Sequence, residues 1–271
     1  LRDGFTAVAD INDDGILDVV VTSPGISNEA ILYSYTYDKG IPKLIAKSYP
    51  PTLDLPTIGV PVIGDISGLG KPSILFTRPS RILAYSYNGT SFFNQEWTHV
   101  TTDSSGMTGL TVFDFNFDGA QEIVYRDMSA LTILNGAIIL PTVMAKLACY
   151  SGTLMENPIV GDIDNSGHAK ICVVCSSLSN QFDGHLTIFG PPDSLPGWAP
   201  ARGIWNQYAY NPLYINDDLT VPRYQKNQAT YGNGKYNNFM QQESLLDSNG
   251  YYKRPAASLT GKIQCITYDP I

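Results

Sequence analysis

Residues 10–18 read DINDDGILD, five oxygen-bearing side chains within nine positions. Hard cations such as calcium collect six to eight carboxylate or carbonyl oxygens at about 2.3–2.6 Å, and a curled acidic turn is a compact way to supply them. With Asp10 as position one, Asp10, Asn12 and Asp14 stand at positions one, three and five. Gly15 permits the bend, the Ile16 carbonyl faces inward at position seven, and Asp18 closes the far side at position nine. An EF-hand would need a bidentate Glu at position twelve and a helix on each side. Position twelve is Val21, and the flanks TAVA and DVVVTSP are short β-type runs. The turn therefore joins two strands, and the expected cofactor is Ca²⁺.

The turn recurs. Related stretches start at Asp65, Asp114 and Asp162, at intervals of 55, 49 and 48 residues, so one unit is roughly 50 residues long. The third is complete, with Asp114, Asn116, Asp118, Gly119, the Ala120 carbonyl and Glu122. The fourth keeps Asp162, Asp164 and Ser166 but carries Lys170 at position nine, where an ammonium competes with a metal. The second has Asp65 and Ser67 with Leu69 and Ser73 in the remaining places, a turn that keeps its shape without the charge. Asp, Asn and Gly favour such turns unaided, but recurrence at fixed phase against the strands marks turns one and three as calcium sites.

Other chemistry is sparse. His99, His168 and His185 have no nucleophile or carboxylate at a telling spacing, and G-x-S-x-G, HExxH, P-loop and dinucleotide fingerprints are missing. The expectation is a protein that is not an enzyme.

The elements that must hold these turns are strands. Each turn follows a short apolar run (TAVA, PVIG, LTVF, PIVG) and enters another (DVVVTS, SILFT, EIVYR, KICVV). A third run ends at a Gly-containing turn such as Asn88-Gly89 or Asn135-Gly136, the strongest short hairpin signal. Further runs, PKLIAKSY and FFNQEWTHV, add a fourth strand to some units. Three or four antiparallel strands per 50 residues, with no helical periodicity, make an all-β chain with the content of propeller blades. On these residues, about 5–190, the unit resembles the FG-GAP/VCBS-type repeat, the calcium-loop blade also found in integrin α-subunits. The resemblance implies a β-propeller whose calcium turns are structural. Four blades are recognisable, with the ring completed by the tail or by blades upstream of Leu1.

The expected organisation is blades over 1–195, a capping or completing segment over 196–257, and a closing strand or the start of a following domain over 258–271. The middle segment contains Trp198, Arg202, Trp205, Tyr208 and Tyr210. Either these plug one end of the propeller or they form a platform for glycan or protein, with Arg202 stacked on Trp205. The words WAPARGIWNQYAYNPLYINDDLTVP resemble a segment that follows such repeats in large surface proteins of Bacteroidetes-like bacteria. NGKYNNFMQQESLLDSNGYY reads as polar loop with one short helix.

A net charge of −8 without a Lys/Arg cluster argues against nucleic acid or an anionic membrane as partner. No run reaches the roughly 18 apolar residues of a membrane span. The sequence begins without a signal peptide, as a processed piece of a longer exported protein would, and weak calcium turns suit the calcium outside cells. Expected partners are a glycan or protein ligand at the cell surface and other domains of the same chain. Cys172 and Cys175 point to opposite faces of one strand and read as buried free thiols, with a bridge from Cys149 to either as the alternative. A lone CxxC does not make a zinc site.

Overall fold

The computed structural model describes residues 3–25, 30–51, 57–136, 140–152, 155–177, 183–192 and 195–245. Cys265, the expected closing strand over 258–271 and the middle segment beyond Leu245 lie outside them. The described residues are all-β: four separate antiparallel sheets and one short 3-10 turn, Pro212–Tyr214. Sheet one contains β1 (Phe5–Ala9), β2 (Asp18–Pro24), β3 (Ala30–Asp38) and β4 (Ile41–Ser48). Sheet two contains β5 (Val62–Gly64), β6 (Ser73–Arg78), β7 (Arg81–Tyr87) and β8 (Phe93–Val100). Sheet three contains β9 (Leu110–Phe113), β10 (Glu122–Arg126), β11 (Ala130–Asn135) and β12 (Thr142–Ala148). Sheet four has three strands, β13 (Ile159–Gly161), β14 (Lys170–Ser176) and β15 (Gly184–Phe189). Every sheet is a meander in chain order, and each acidic turn joins its first strand to its second.

Strand alternation decides how the sheets stack. Each second strand begins at position nine of its turn: Asp18, Ser73, Glu122 or Lys170. One residue further on, Ile74, Ile123 and Ile171 are buried, and three further on so are Phe76, Tyr125 and Val173. In sheet one the equivalents Val19 and Val21 are only half-buried. The opposite face behaves in reverse. Val20, Leu75 and Val124 are fully buried and so are Thr22, Thr77 and Arg126, but Val174, at the same position in sheet four, is 48% exposed. Period-two side chains thus give each sheet a leading and a trailing face. The trailing face of each of the first three sheets is buried in the array and the leading faces of the last three likewise. One core joins sheets one to three through residues such as Val20, Phe76 and Tyr125, and a second joins sheets three and four through Val124, Ile133, Ile171 and Val173. Each buried aliphatic side chain contributes about 1.5–3 kcal/mol. First strands are neighbours in the same order, β1 beside β5, β5 beside β9 and β9 beside β13.

Cys149, just after β12, is bridged to Cys175 in β14, tying sheet three to sheet four. Cys175 is therefore not a free thiol; Cys172 is, and it is buried. Alternation puts Cys175 on the leading face of sheet four, the side that meets sheet three, and Cys172 on the other.

Residues 234–245 contain no helix and run across the first strands of the sheets; the rest of the stretch expected to include a short helix, 246–252, lies outside the described residues. Gln228 Nε2 donates to Val8 O of β1 at 2.7 Å. Phe239 exchanges both backbone hydrogen bonds with Ile63 of β5. Thr111 Oγ1 of β9 donates to Met240 O at 2.8 Å, and Gln242 Nε2 donates to Val160 O of β13 at 3.0 Å. One polar segment therefore touches all four sheets, and Gln228, Asn238, Gln241 and Gln242 are buried in doing so. Gln242 is the most committed, since its Oε1 also accepts from Tyr210 Oη and Glu243 N. Replacing it (Gln242→Leu) keeps the bulk and strands these partners. The expected loss is about 2–4 kcal/mol, because each buried polar group left unsatisfied costs roughly 1–3 kcal/mol; urea unfolding of the variant measures it.

Candidate metal centre: the acidic turns

All four turns share one backbone. Position four lies in the left-handed region (Asp13 φ 61°, Gly68 φ 70°, Phe117 φ 64°, Asn165 φ 55°), and so does the position-six glycine (Gly15 82°, Gly70 74°, Gly119 90°, Gly167 84°). In each turn the first Asp accepts the N–H of that glycine: Asp10 from Gly15 at 2.7 Å, Asp65 from Gly70 at 2.6 Å, Asp114 from Gly119 at 3.0 Å and Asp162 from Gly167 at 3.0 Å. A side chain at position six would be strained at such φ values.

What fills the turns differs. In turn one, Asp18 is fully buried, with Oδ2 accepting from Ile11 N at 3.0 Å. Asp18 Oδ1 and Asn12 Oδ1 are buried without a well-formed partner. Burial raises the Asp18 carboxyl to about 6, only partly offset by the Ile11 N–H and the nearby Thr36 hydroxyl. In turn three, Glu122 accepts from Phe115 N at 2.8 Å and from Asn116 Nδ2 at 3.0 Å. Burial lifts Glu122 to about 7 and also raises Asp114, whose Oδ1 is another buried oxygen without a well-formed partner. Asp14 and Asp118 turn back on their own loops, accepting from the N–H of Ile16 and of Ala120. Among the described residues, no three His, Cys, Asp or Glu side chains are arranged to hold a metal ion. The donor chemistry nevertheless fits a hard cation. The unpartnered atoms of turns one and three are all oxygens and all acceptors, gathered with further carboxylates on turns a few residues long.

Turn two is self-satisfied: Asp65 also accepts from Ser67 N and Oγ and from Leu69 N. In turn four the ammonium of Lys170 lies 3.5 Å from Asp164 Oδ2 and 3.0 Å from Ser166 Oγ. The Ser166 hydroxyl and Lys170 hold the Asp164 carboxyl down near 2. Lys170 thus supplies a cation of its own. His168, at the backbone-ligand position, has Nδ1 2.8 Å from Trp198 O.

The tail grips the turns directly. Asn237 accepts from Asp10 N at 2.7 Å and donates to Asp10 O at 2.6 Å, a side-chain mimic of a strand pair. Ala199 N donates to Phe115 O, Asp162 N to Arg202 O, and Gln121 N of turn three to Asp65 O of turn two. All four turns therefore lie at one end of the array, under or beside the tail.

The aromatic segment is not one platform. Arg202 is buried, and its guanidinium bonds Asp217 at 2.6 Å, Pro212 O at 2.8 Å and Ile215 O at 2.6 Å instead of stacking on Trp205. Trp205 stacks on the fully buried Tyr210, with centroids 4.6 Å apart. Trp198 packs edge-on against Phe115 of turn three. Tyr208 alone of the five is largely exposed. The histidines stay apart: His99 meets Tyr125 Oη at 3.2 Å, His168 lies at turn four, and His185 is exposed on β15. The clamp from Asn237 was not legible beforehand, because one Asn in an Asn-rich stretch carries no periodic signal. Asn237→Ala should lower stability by about 1–3 kcal/mol through the two lost backbone partners. Amide hydrogen exchange should show that loss first at Asp10, within turn one.

No family model and no curated protein matches the chain. Among solved structures it is similar to the V. cholerae biofilm matrix protein Bap1, with a TM-score of 0.53 at 22% identity, over 83% of this chain and 33% of that one. The likeness is one of fold, and this chain spans about a third of the Bap1 chain.

Proposed function

We propose that the chain is a calcium-stapled β-propeller module of the FG-GAP/VCBS type, acting without catalysis outside the cell. Its role would be to present loops for adhesion, to glycan or protein, within a larger surface protein. The observation that carries the reading is the shared turn. The same backbone stands between the first two strands of four successive sheets, and in turns one and three buried acceptor oxygens, Asn12 Oδ1, Asp18 Oδ1 and Asp114 Oδ1, lack a well-formed donor. Calcium would be held by Asp10, Asn12, Asp14, the Ile16 carbonyl and Asp18 in turn one. Asp114, Asn116, Asp118, the Ala120 carbonyl and Glu122 would hold it in turn three. A divalent cation there supplies positive charge that cancels mutual carboxylate repulsion and cross-links the ends of two strands. The radial arrangement is supported by neighbouring first strands, by the face-to-face stacking order and by the central tail. The extracellular setting is supported by the biofilm matrix neighbour; no helix among the described residues is long and apolar enough to cross a membrane. A plain spacer role is favoured by one observation, the burial of Arg202 and Tyr210, which commits the aromatic segment to holding the end of the array. Tyr208 and the half-buried Trp198 and Trp205 are left as the candidates for stacking on a sugar ring.

Calcium at about 5 mM should stabilise the protein by about 2–5 kcal/mol if two sites bind with Kd of about 10⁻⁴–10⁻³ M. That is a rise of several degrees in Tm, read by calorimetry with and without EDTA. An unchanged Tm would refute the reading. The buried charge of Glu122 gives a finer test. Glu122→Gln should leave the metal-free Tm level or higher, since an uncompensated buried carboxylate is removed, while cutting the calcium-induced rise by about half.

A further inference from the structure

Between turn three and the tail lies a cavity of about 560 Å³. Its walls include Asp114, Phe117 and Gln121 on one side and Tyr236, Gln241 and Ser244 on the other, and its size is that of small-molecule sites, about 300–1,000 Å³. Three side-chain oxygens on this lining, Gln121 Oε1, Gln241 Oε1 and Ser244 Oγ, are buried without a well-formed partner. Gln241 is itself only 7% exposed. The two amide oxygens converge: a methyl group on Gly64 would lie 2.5 Å from the first and 3.1 Å from the second. An amide oxygen is an acceptor with two lone pairs, and leaving it buried and unpaired costs about 1–3 kcal/mol. A second cavity of about 280 Å³ shares Gln121, Lys235 and Gln241 and reaches Asp65 of turn two.

Charge narrows what can enter. Lys235 is the cation on the lining of the larger cavity, and its ammonium is taken by Glu243 Oε1 and Ser244 O, each at 3.2 Å. Glu243 also accepts from Tyr236 Oη. Acid and base cancel, so the site has no unpaired ammonium for an anion. Phe117 adds an apolar side. Position four of the other turns is Asp13, Gly68 or Asn165, types that tolerate left-handed backbone, whereas turn three holds a bulky, half-buried ring there at φ 64°. That ring packs against the second core and also borders the cavity. Neutral acceptors beside an aromatic flank fit a molecule with hydroxyl donors along its edge and C–H groups on its face. We infer that the cavity takes a neutral sugar ring of a glycan, its hydroxyls donating to Gln121 Oε1 and Gln241 Oε1 and a C–H face lying against Phe117. This assignment rests on the glycan side of the adhesion reading and places the contact between turn three and the tail.

Titration calorimetry on the full chain in calcium tests this with glucose, galactose, mannose, N-acetylglucosamine and fucose, each as its methyl glycoside, and with glucuronic acid. At least one neutral sugar should bind with a Kd of about 1 mM or tighter, ahead of glucuronic acid. Gln241→Leu and Gln121→Leu should each weaken that sugar at least about tenfold. Neither should lower the Tm, because each removes a buried acceptor that the protein leaves unpaired; a purely structural role predicts a falling Tm instead. Phe117→Asn, which copies turn four, should weaken binding while relieving the left-handed backbone. In NMR spectra of the parent chain, the side-chain amide signals of Gln121 and Gln241 should shift with added sugar. Absence of binding by every neutral sugar at about 50 mM overturns the inference. So does binding that survives both leucine variants or that favours glucuronic acid. Amide signals unmoved by a bound sugar overturn it even where a variant does not fold. Melting with and without EDTA reports on the turns separately: calcium stabilisation without sugar binding sinks this site alone, and sugar binding with a Tm indifferent to EDTA sinks the calcium reading alone.

Discussion

A strand at the edge of a sheet exposes a row of backbone N–H and C=O groups, and those groups must find partners wherever water is excluded. Among the described residues, four of the sheet edges, those on β1, β5, β9 and β13, are brought close together by the stacking of the sheets. The stretch from Gln228 to Gln242 answers them with amide side chains and a short run of backbone. Because it must reach every sheet, it is drawn past the acidic turns, and the grip of Asn237 on Asp10 follows from that path. The turns and the tail are thus one construction: the turns bring the strand ends together, and the tail fills the space between them.

Buried carboxylates in this construction would otherwise be a liability. Asp18 and Glu122 are withdrawn from water with too few donors, and their raised protonation ranges record that cost. Turn four shows one resolution in place, with Lys170 set against Asp164 and Ser166. Turn two shows another, with the charge at position nine replaced by Ser73 and Asp65 fully engaged by its own loop. Turns one and three keep the acids and lack either remedy, which is why an external cation is the economical account of them.

The sequence made the sheets and turns readable because both obey short periods. Alternation set the inward residues of β6 and β10, and Asp-x-Asn-x-Asp-Gly set the bend at Gly15 and Gly119. The tail obeyed no period. Asn237, Asn238, Gln241 and Gln242 have the composition of a solvated loop, and only the strand edges they meet, up to 227 residues away, make them interior. Arg202 and Tyr210 left two readings open, plug or platform, and only the three-dimensional partners Asp217, two carbonyls and Gln242 draw their side chains inside. The partner of Cys149 was equally beyond a one-dimensional reading, since alternation separates Cys172 from Cys175 but does not say which faces sheet three.

Tail closure also orders events in time. The meanders are local and can form as they are synthesised, one unit after another. Their inner edges stay bare until residues 228–242 arrive, and contacts across such sequence distances are slow to form. During that interval the nascent molecule offers four unpaired strands to any neighbour, so its vulnerability to misassembly is concentrated just before Gln228 to Gln242 dock. A truncation there would therefore remove the step that withdraws the other sheets from intermolecular pairing.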